Sequence, residues 1–410
     1  MARYNETLLS LDNDMDNARR NVFLLACCQA LLLTNAVTLV AVSSLVGYAI
    51  APSHALATLP ATIYVVGVAL TAFPASMFMK RVGRRNGFLA GTALGVGGAI
   101  VATFAVARAD FALFCASMLA LGAYNAFGQY YRFAAADAAS AEFKPKAISY
   151  VLAGGLAGGI IGPELSRHTR DLSQPEHLAT VASLIVFAAL AMAIVSRIRI
   201  PESTDAAGGA PPRPLAEIAR QPAFLVAVGV AALGYAVMNL LMTATPLAMA
   251  FCGHPYDAAA VVLSSHVIGM FAPSFFTGSL IKRFGVLRVM LAGVAFLIAC
   301  ACVALSGQAV SNFWWALVML GVGWNFTYIG GSTLLTEVYR PSEKAKVQGA
   351  NEITIFGVQA LSSFSAGVLV NTRGWDTLNF VALPLIVCAG AAALWLLAAR
   401  RRSPAAPSAP

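Results

Sequence analysis

Several polar side chains sit inside long apolar stretches, where a polar group is costly and marks a functional position by default. Asn125, Gln129 and Arg132 follow the spacing i, i+4, i+7 and so share one helical face. Tyr124 and Tyr131 flank that face. Such a donor-rich strip suits an anionic or carbonyl-bearing ligand. The alternative for Arg132 is to snorkel to a headgroup layer or to pair with Asp137. Similar sets recur at Gln29, Asn35 and Thr38, at Tyr235, Asn239 and Thr243, and at Trp324, Asn325 and Tyr328. Ligand binding and hydrogen bonding between helices are the two readings open to these sets. Two ionisable groups have the chemistry to take up a proton, His266 and Glu352. The competing readings are a satisfied structural histidine, and a local ion pair of Glu352 with Lys344 or Lys346. Glu164, close to Arg167 and His168, reads as a surface charge. The seven cysteines show no CxxC or Cys/His spacing, so no metal centre and no cofactor is expected. No G-x-x-x-x-G-K-[ST] loop for a nucleotide is present, and nothing points to an enzyme.

The elements that position these residues are membrane helices. Of the 410 residues, 59% are hydrophobic and 11% charged, against roughly 25% charged in a soluble protein. That balance excludes a soluble enzyme. The net charge of +9 does not indicate nucleic acid, because the basic residues fall in short clusters between apolar runs. A spanning helix needs about 20 apolar residues. Twelve such runs are predicted, at 22–50, 56–79, 87–107, 111–136, 147–166, 178–198, 222–250, 258–281, 287–306, 312–336, 348–371 and 376–399, called spans one to twelve here. They must be helices, because an open strand leaves its backbone unpaired in lipid. The acidic start, with Asp12, Asp14 and Asp16, is no signal peptide. With the N-terminus in the cytoplasm, only Arg108, Arg167, Arg170 and Arg373 of the 27 lysines and arginines fall outside. This places both termini in the cytoplasm.

The expected domains are a cytoplasmic N-terminal segment 1–21, a six-helix bundle 22–198, a cytoplasmic linker 199–221, a second six-helix bundle 222–399 and a cytoplasmic tail 400–410. The bundles are related by a repeat. SMFMKRVGRRNGFLAG at 76–91 returns as GSLIKRFGVLRVMLAG at 278–293, an offset of 202. Asp137, Lys144 and Lys146 return as Glu337, Lys344 and Lys346 at an offset of 200, and Tyr124-Asn125 as Trp324-Asn325 at the same offset. On this alignment His266 faces Tyr64 and Arg132 faces Ser332. Six spans return the chain to its starting side, so the repeat is parallel and implies a substrate site at the interface of the halves.

The loop Ser76-x3-Lys80-Arg81-x-Gly83-Arg84-Arg85 resembles motif A of the major facilitator superfamily, and Gly278-x3-Lys282-Arg283-x-Gly285 resembles its second copy. Asp137-x6-Lys144-x-Lys146 resembles the family's acidic-then-basic stretch between spans four and five. The resemblance covers nearly the whole chain. It implies an all-α fold of twelve transmembrane helices in two pseudo-symmetric six-helix bundles. It also implies a secondary active transporter of a small organic solute working by alternating access. His266, Glu352 and the absence of nucleotide-binding machinery favour protons as coupling ion, and a monomer in the cell membrane is expected. Spans one, four, seven and ten line the family's cavity. The implied substrate contacts are therefore Asn35, Thr38, Tyr124, Asn125, Gln129, Arg132, Tyr235, Asn239, Trp324, Asn325 and Tyr328; His266 and Glu352 are the candidate proton carriers on their own chemistry. Lys80 and Lys282 replace the family's usual aspartate, which leaves Asp137 and Glu337 as the carboxylates available to Arg81 and Arg283. Ser117 stands where the family's drug antiporters carry an arginine. The run Gly154-Gly155-x-x-Gly158-Gly159-x-x-Gly162-Pro163 loosely resembles the antiporters' glycine-proline motif and favours export by antiport. Uptake by symport is the first alternative, and a non-transporting membrane sensor on the same fold is the second.

Overall fold

The computed structural model describes residues 2–53, 56–57, 59–200 and 211–402, with the backbone alone for 2–16, 41, 256 and 371. The middle of the expected linker, 201–210, and the end of the tail, 403–410, lie outside the described residues. The described residues are mainly α-helical and include no strand. Eleven helices are long and apolar enough to cross a membrane: Asn17–Ile50, Leu59–Val82, Arg84–Ala107, Phe111–Asp137, Lys144–Thr169, Leu178–Val195, Pro222–Phe251, Asp257–Phe284, Val286–Leu305, Pro341–Val370 and Thr372–Arg402. They are spans one to nine, eleven and twelve. Span ten is the 26-residue helix Val310–Leu335. It has the length to span but carries Asn312, Asn325, two serines, two threonines and four glycines, which lower its hydropathy. Its interior faces protein rather than lipid, so that polarity is sheltered.

Two spans are interrupted and two others join end to end. Span four breaks at Gln129–Tyr130, between Phe111–Gly128 and Tyr131–Asp137. Span eight breaks between Phe271 and Ser274, where Pro273 has no N–H to continue the ladder. Spans eleven and twelve run on through Gly374, whose φ of 78° and ψ of 178° suit glycine alone.

The chain packs as two compact units. The first comprises 1–209 together with Lys344–Phe356, and the second Ala210–Glu343 with Gly357–Pro410. Span eleven thus begins in the first unit and ends in the second. The first unit's apolar core gathers Leu39, Val42, Val68, Ala99, Phe114, Met118 and Leu184 from spans one, two, three, four and six, with Phe356 from span eleven. Glycine permits the closest helix approach. A Cβ on Gly158 of span five would stand 2.5 Å from the Ala30 carbonyl oxygen and 2.7 Å from the Thr34 nitrogen of span one. The glycine run that resembles the antiporter motif therefore has a packing reason. In the second unit the same role falls to Gly321 and Gly323 on span ten. Large apolar side chains such as Phe23, Leu70, Val186, Phe251, Val261 and Phe364 stand exposed, as a lipid solvent permits.

The repeat is visible in the geometry of each unit. Gly83 has φ 83° and ψ 159°, and Gly285 has φ 88° and ψ 149°. Both fall in a region that only glycine occupies readily, which explains the Lys-Arg-x-Gly recurrence. In the first unit a Cβ on Gly122 would meet the Tyr64 carbonyl oxygen and the Val68 nitrogen. In the second a Cβ on Gly321 would meet the His266 carbonyl oxygen and the Met270 nitrogen. Likewise Gly91 abuts Phe127, and Gly293 abuts Phe326. These contacts confirm the pairing of Tyr64 with His266 and correct the register of span four. It matches span ten at an offset of 199 rather than 200. Asn125 therefore corresponds to Trp324, and the Tyr-Asn and Trp-Asn dipeptides are not equivalent. The correction follows from glycines that must fit a neighbour's backbone, a stricter demand than two similar side chains.

Candidate functional site

The break in span four frees the Gln129 carbonyl from the helical ladder, and Arg132 uses it. Its Nη1 donates to the Gln129 oxygen at 2.6 Å, and its Nη2 donates to Glu352 Oε1 at 2.5 Å. Arg132 is 2% exposed and Glu352 fully buried. Asn351 Nδ2 donates to the same Glu352 oxygen at 2.7 Å, while Oε2 has no hydrogen-bond partner. The guanidinium also lies over the Phe133 ring, 4.5 Å from its centroid. Arg132 therefore pairs with Glu352, not with Asp137 or a headgroup, and Glu352 pairs with Arg132, not with Lys344 or Lys346. Removing both charges from water is costly, and the short charge-assisted bonds offset that cost.

The polar face above this pair is connected. Gln129 Nε2 donates to Asn125 Oδ1 at 2.8 Å, and Asn125 Nδ2 donates to the Tyr64 hydroxyl at 2.8 Å. Thr38 donates to the Gly162 carbonyl at 3.2 Å, so its hydroxyl holds span one to span five. Asn35 and Tyr124 differ. They are buried and face each other, the Tyr124 hydroxyl against the Asn35 amide, with no further partner for either. They line a narrow cavity of about 10 Å³ together with Tyr64, Asn125 and the leucines at 32, 39, 121 and 184.

In the second unit the expected contacts form an aromatic cluster. Trp324 stacks on Tyr328, with centroids 4.8 Å apart and planes 18° apart. Tyr235 meets both rings edge-on, and Phe271 meets Trp324 at 5.8 Å. The Trp324 indole N–H is buried without a hydrogen-bond partner. Asn239 donates to the Gln359 carbonyl at 3.3 Å. Asn325 has a structural task. Its Nδ2 donates to the Met270 carbonyl and the Ser274 hydroxyl, and its Oδ1 accepts from Thr277 at 2.7 Å. It thereby satisfies the broken turn of span eight. His266 is fully buried, with Nδ1 2.7 Å from the Leu317 carbonyl and Nε2 without a partner.

The loop motifs assemble differently from expectation. Asp137 pairs with Arg84 at 3.2 Å and with Lys344 at 3.1 Å rather than with Arg81. Arg84 also bonds Gln348 and lies 5.8 Å from the Tyr130 ring centroid. Arg85 donates to the Ser196 carbonyl at 2.7 Å, while Lys80 and Arg81 are exposed. Glu337 pairs with Arg400 at 3.0 Å rather than with Arg283, which lies over the Phe284 ring. Lys282 is exposed like its counterpart. One strong interaction escaped the sequence reading. Glu343 is fully buried and accepts from Arg213 N, Nε and Nη2 at 2.9, 2.8 and 2.6 Å, and from Arg340 N at 3.0 Å. Its partner lies 130 residues away, beyond any local pattern.

An all-helical chain with this many apolar spans and buried polar groups facing one another inside them defines a polytopic membrane transporter. The profile of the Major Facilitator Superfamily matches residues 22–271 and 235–410. The chain belongs to that family. It is 39% identical to the riboflavin transporter RfnT of Brucella anthropi over 376 residues, 91% of this chain and 94% of that one. It is 29% identical to the uncharacterized MFS-type transporter YddS of Bacillus subtilis over 77% of this chain and 76% of that one. Among solved structures, the human organic anion transporter MFSD10 superposes with a TM-score of 0.74 at 14% identity, over 92% of this chain and 99% of that one. The fucose:proton symporter FucP of E. coli gives 0.69 at 16% identity, over 91% and 98%. These structures share the fold.

Proposed function

We propose that this protein is a secondary active transporter of a small organic solute, of the riboflavin class, coupled to protons through Glu352 and Arg132. The observation that carries the coupling is the buried ion pair, whose carboxylate keeps one oxygen without a partner. A proton on Glu352 would neutralise it and weaken its hold on the guanidinium, which keeps its bond to the Gln129 carbonyl, so uptake of a proton and loosening of the Arg132–Glu352 pair are one event. The substrate class rests on the riboflavin transporter that matches nearly the full length of the chain. The Trp324, Tyr328, Tyr235 and Phe271 cluster supports it, since flat aromatic solutes stack on such rings. His266 is the second candidate carrier, with its free Nε2. Residence in the cell membrane with both termini cytoplasmic is supported by the basic residues outside the buried Arg132, all but four of which fall at one set of loops and helix ends.

The test is riboflavin movement in proteoliposomes under an imposed proton gradient. Movement that collapses with the gradient, and that Glu352→Gln makes insensitive to it, is the expected result. Riboflavin movement that ignores the gradient would sink the coupling, and no riboflavin movement would sink the substrate. Export by antiport is the second reading, favoured by the resemblance of the span-five glycine run to the antiporter motif. Reversing the gradient separates it from symport: antiport drives solute against the proton flow, symport along it.

A further inference from the structure

Spans three and four leave an open groove between them, about 750 Å³ in volume and so within the ~300–1,000 Å³ of small-molecule sites. Leu94 and Val101 of span three and Ala116 of span four wall it and stand exposed. Phe78 of span two meets Phe127 edge-on at one end, with ring centroids 6.2 Å apart. That end lies toward the Gly83 loop, since Phe127 abuts Gly91 near the start of span three. Ser117 is the one polar side chain in the lining, and its hydroxyl donates to the Phe114 carbonyl at 2.6 Å. Nothing in the groove therefore asks for a polar ligand group. From Ala90 to Val101 the groove follows span three for about 16 Å by helical rise. This is roughly half of the ~30 Å apolar thickness of a bilayer, the depth of one leaflet.

The loop end of the groove is positively charged. Residues 59–109, which hold spans two and three, contain no Asp or Glu. Of the cations in that loop, Arg84 pairs with Asp137 and Arg85 donates to the Ser196 carbonyl. Arg81 follows Phe78 by three residues, so it stands on the same helical face, one turn beyond the groove. It is exposed and makes no hydrogen bond or ion pair among the described residues. Lys80, two residues from Phe78, lies off that face. An apolar trough one leaflet deep, with an uncompensated guanidinium at its mouth, fits an acyl chain below a phosphate, which arginine can hold through two donors. A second copy of this chain fits worse. Inserted the same way round, it would set its own cationic loop at the same depth, cation against cation.

We propose that this groove is a binding site for an anionic diacyl phospholipid, which lays one acyl chain along spans three and four and sets its phosphate on Arg81. A zwitterionic lipid would bring an ammonium to the same cationic loop and binds more weakly. The site is separate from the Arg132–Glu352 pair and holds whatever solute is carried.

The experiment titrates the detergent-purified full chain with dioleoylphosphatidylglycerol or dioleoylphosphatidylcholine and reads the thermal midpoint. The anionic lipid should raise the midpoint at lower concentration than the zwitterionic one. Arg81→Gln should raise the concentration of anionic lipid for half the shift about fivefold, the size of one cation at an anionic lipid surface, and leave the zwitterionic titration unchanged. Lys80→Gln should have the smaller effect. A Cβ on Gly97, in the groove, meets nothing within 4 Å. Gly97→Leu therefore fills the groove without displacing a neighbour, and should keep the lipid-free midpoint while losing the response to the anionic lipid. Equal responses to the two lipids in the wild type overturn the proposal. So does a full response in Gly97→Leu, or an equal effect of Lys80→Gln and Arg81→Gln, which would mean attraction to the loop's charge alone. A dimer in detergent by light scattering that Gly97→Leu turns into a monomer assigns the groove to a second copy and overturns the lipid.

Discussion

Replacing both members of the Arg132–Glu352 pair should harm the protein less than replacing either one. The two groups are 2% and 0% exposed and joined at 2.5 Å. Arg132→Met leaves Glu352 buried with only Asn351 donating to it. Glu352→Met leaves a guanidinium with the Gln129 carbonyl and the Phe133 ring. Breaking a buried pair from one side costs about 3–5 kcal/mol, whereas replacing both partners by apolar residues is often neutral or stabilising by about 1–4 kcal/mol. Each single variant should therefore lose about 3–5 kcal/mol and the double variant about 1 kcal/mol or less, a coupling free energy of roughly 5 kcal/mol or more. The assay is a double-mutant cycle of unfolding free energies in detergent, followed by tryptophan fluorescence. Transport is measured on the same four proteins. The double variant should be stable and unable to respond to a proton gradient. Additive losses, with the double variant less stable than either single, refute the reasoning. A stable double variant that still concentrates riboflavin with the gradient shows that the pair serves folding rather than coupling.

Gly83→Ala and Gly285→Ala should each lower the thermal midpoint by an amount equivalent to about 1–3 kcal/mol, because both positions hold φ near +85° in a region closed to alanine. An exposed Lys80→Ala on the same loop serves as the control that should change nothing. His177, in the loop between Thr169 and Leu178, is held below the ordinary imidazole range by burial, against the opposing charge of Glu176. The folded protein then disfavours the charged form. Its contribution is fully present above pH ~6.5 and is lost as the pH falls through the lower folded value. The thermal midpoint should fall with acid in the wild type and fall less in His177→Asn, and equal slopes would exclude this histidine as the cause.

The membrane architecture was legible because its cause is one-dimensional. A run such as 287–306 must be apolar for its full length to cross lipid, whatever it packs against. The Lys-Arg-x-Gly loops were legible for a similar reason, since a glycine-only backbone angle is a local demand. Span ten was harder to grade, because burial in protein relaxes its need for hydropathy. The partners of charged groups were not legible. Arg132 meets Glu352 across 220 residues, and Arg213 meets Glu343 across 130. A charge in lipid announces that it needs a partner, but many carboxylates satisfy that need on paper. Only packing selects among them. Asn125 and Asn325 show the converse. They look equivalent in sequence and have different tasks, one linking Gln129 to Tyr64 and the other closing the broken turn of span eight.

The corrected register sharpens where the two units part company. Their scaffold contacts coincide: glycine on backbone at Gly122 and Gly321, glycine on aromatic at Gly91 and Gly293. Against that shared scaffold, Asn125 corresponds to Trp324, so the first unit places an amide where the second places an indole. On that register Arg132 falls opposite Gly331 rather than Ser332, and a Cβ on Gly331 would already stand 2.7 Å from the Ala227 carbonyl. The second unit has no room there for a charged side chain. Duplication accounts for the helices and their close approaches. It does not account for the amides Asn125 and Gln129 of one unit and the rings Trp324 and Tyr328 of the other, which occupy equivalent positions with unlike chemistry, nor for the ion pair. Such divergence on a common frame is what a transporter needs if one unit is to carry charge and hydrogen bonds while the other offers an aromatic surface.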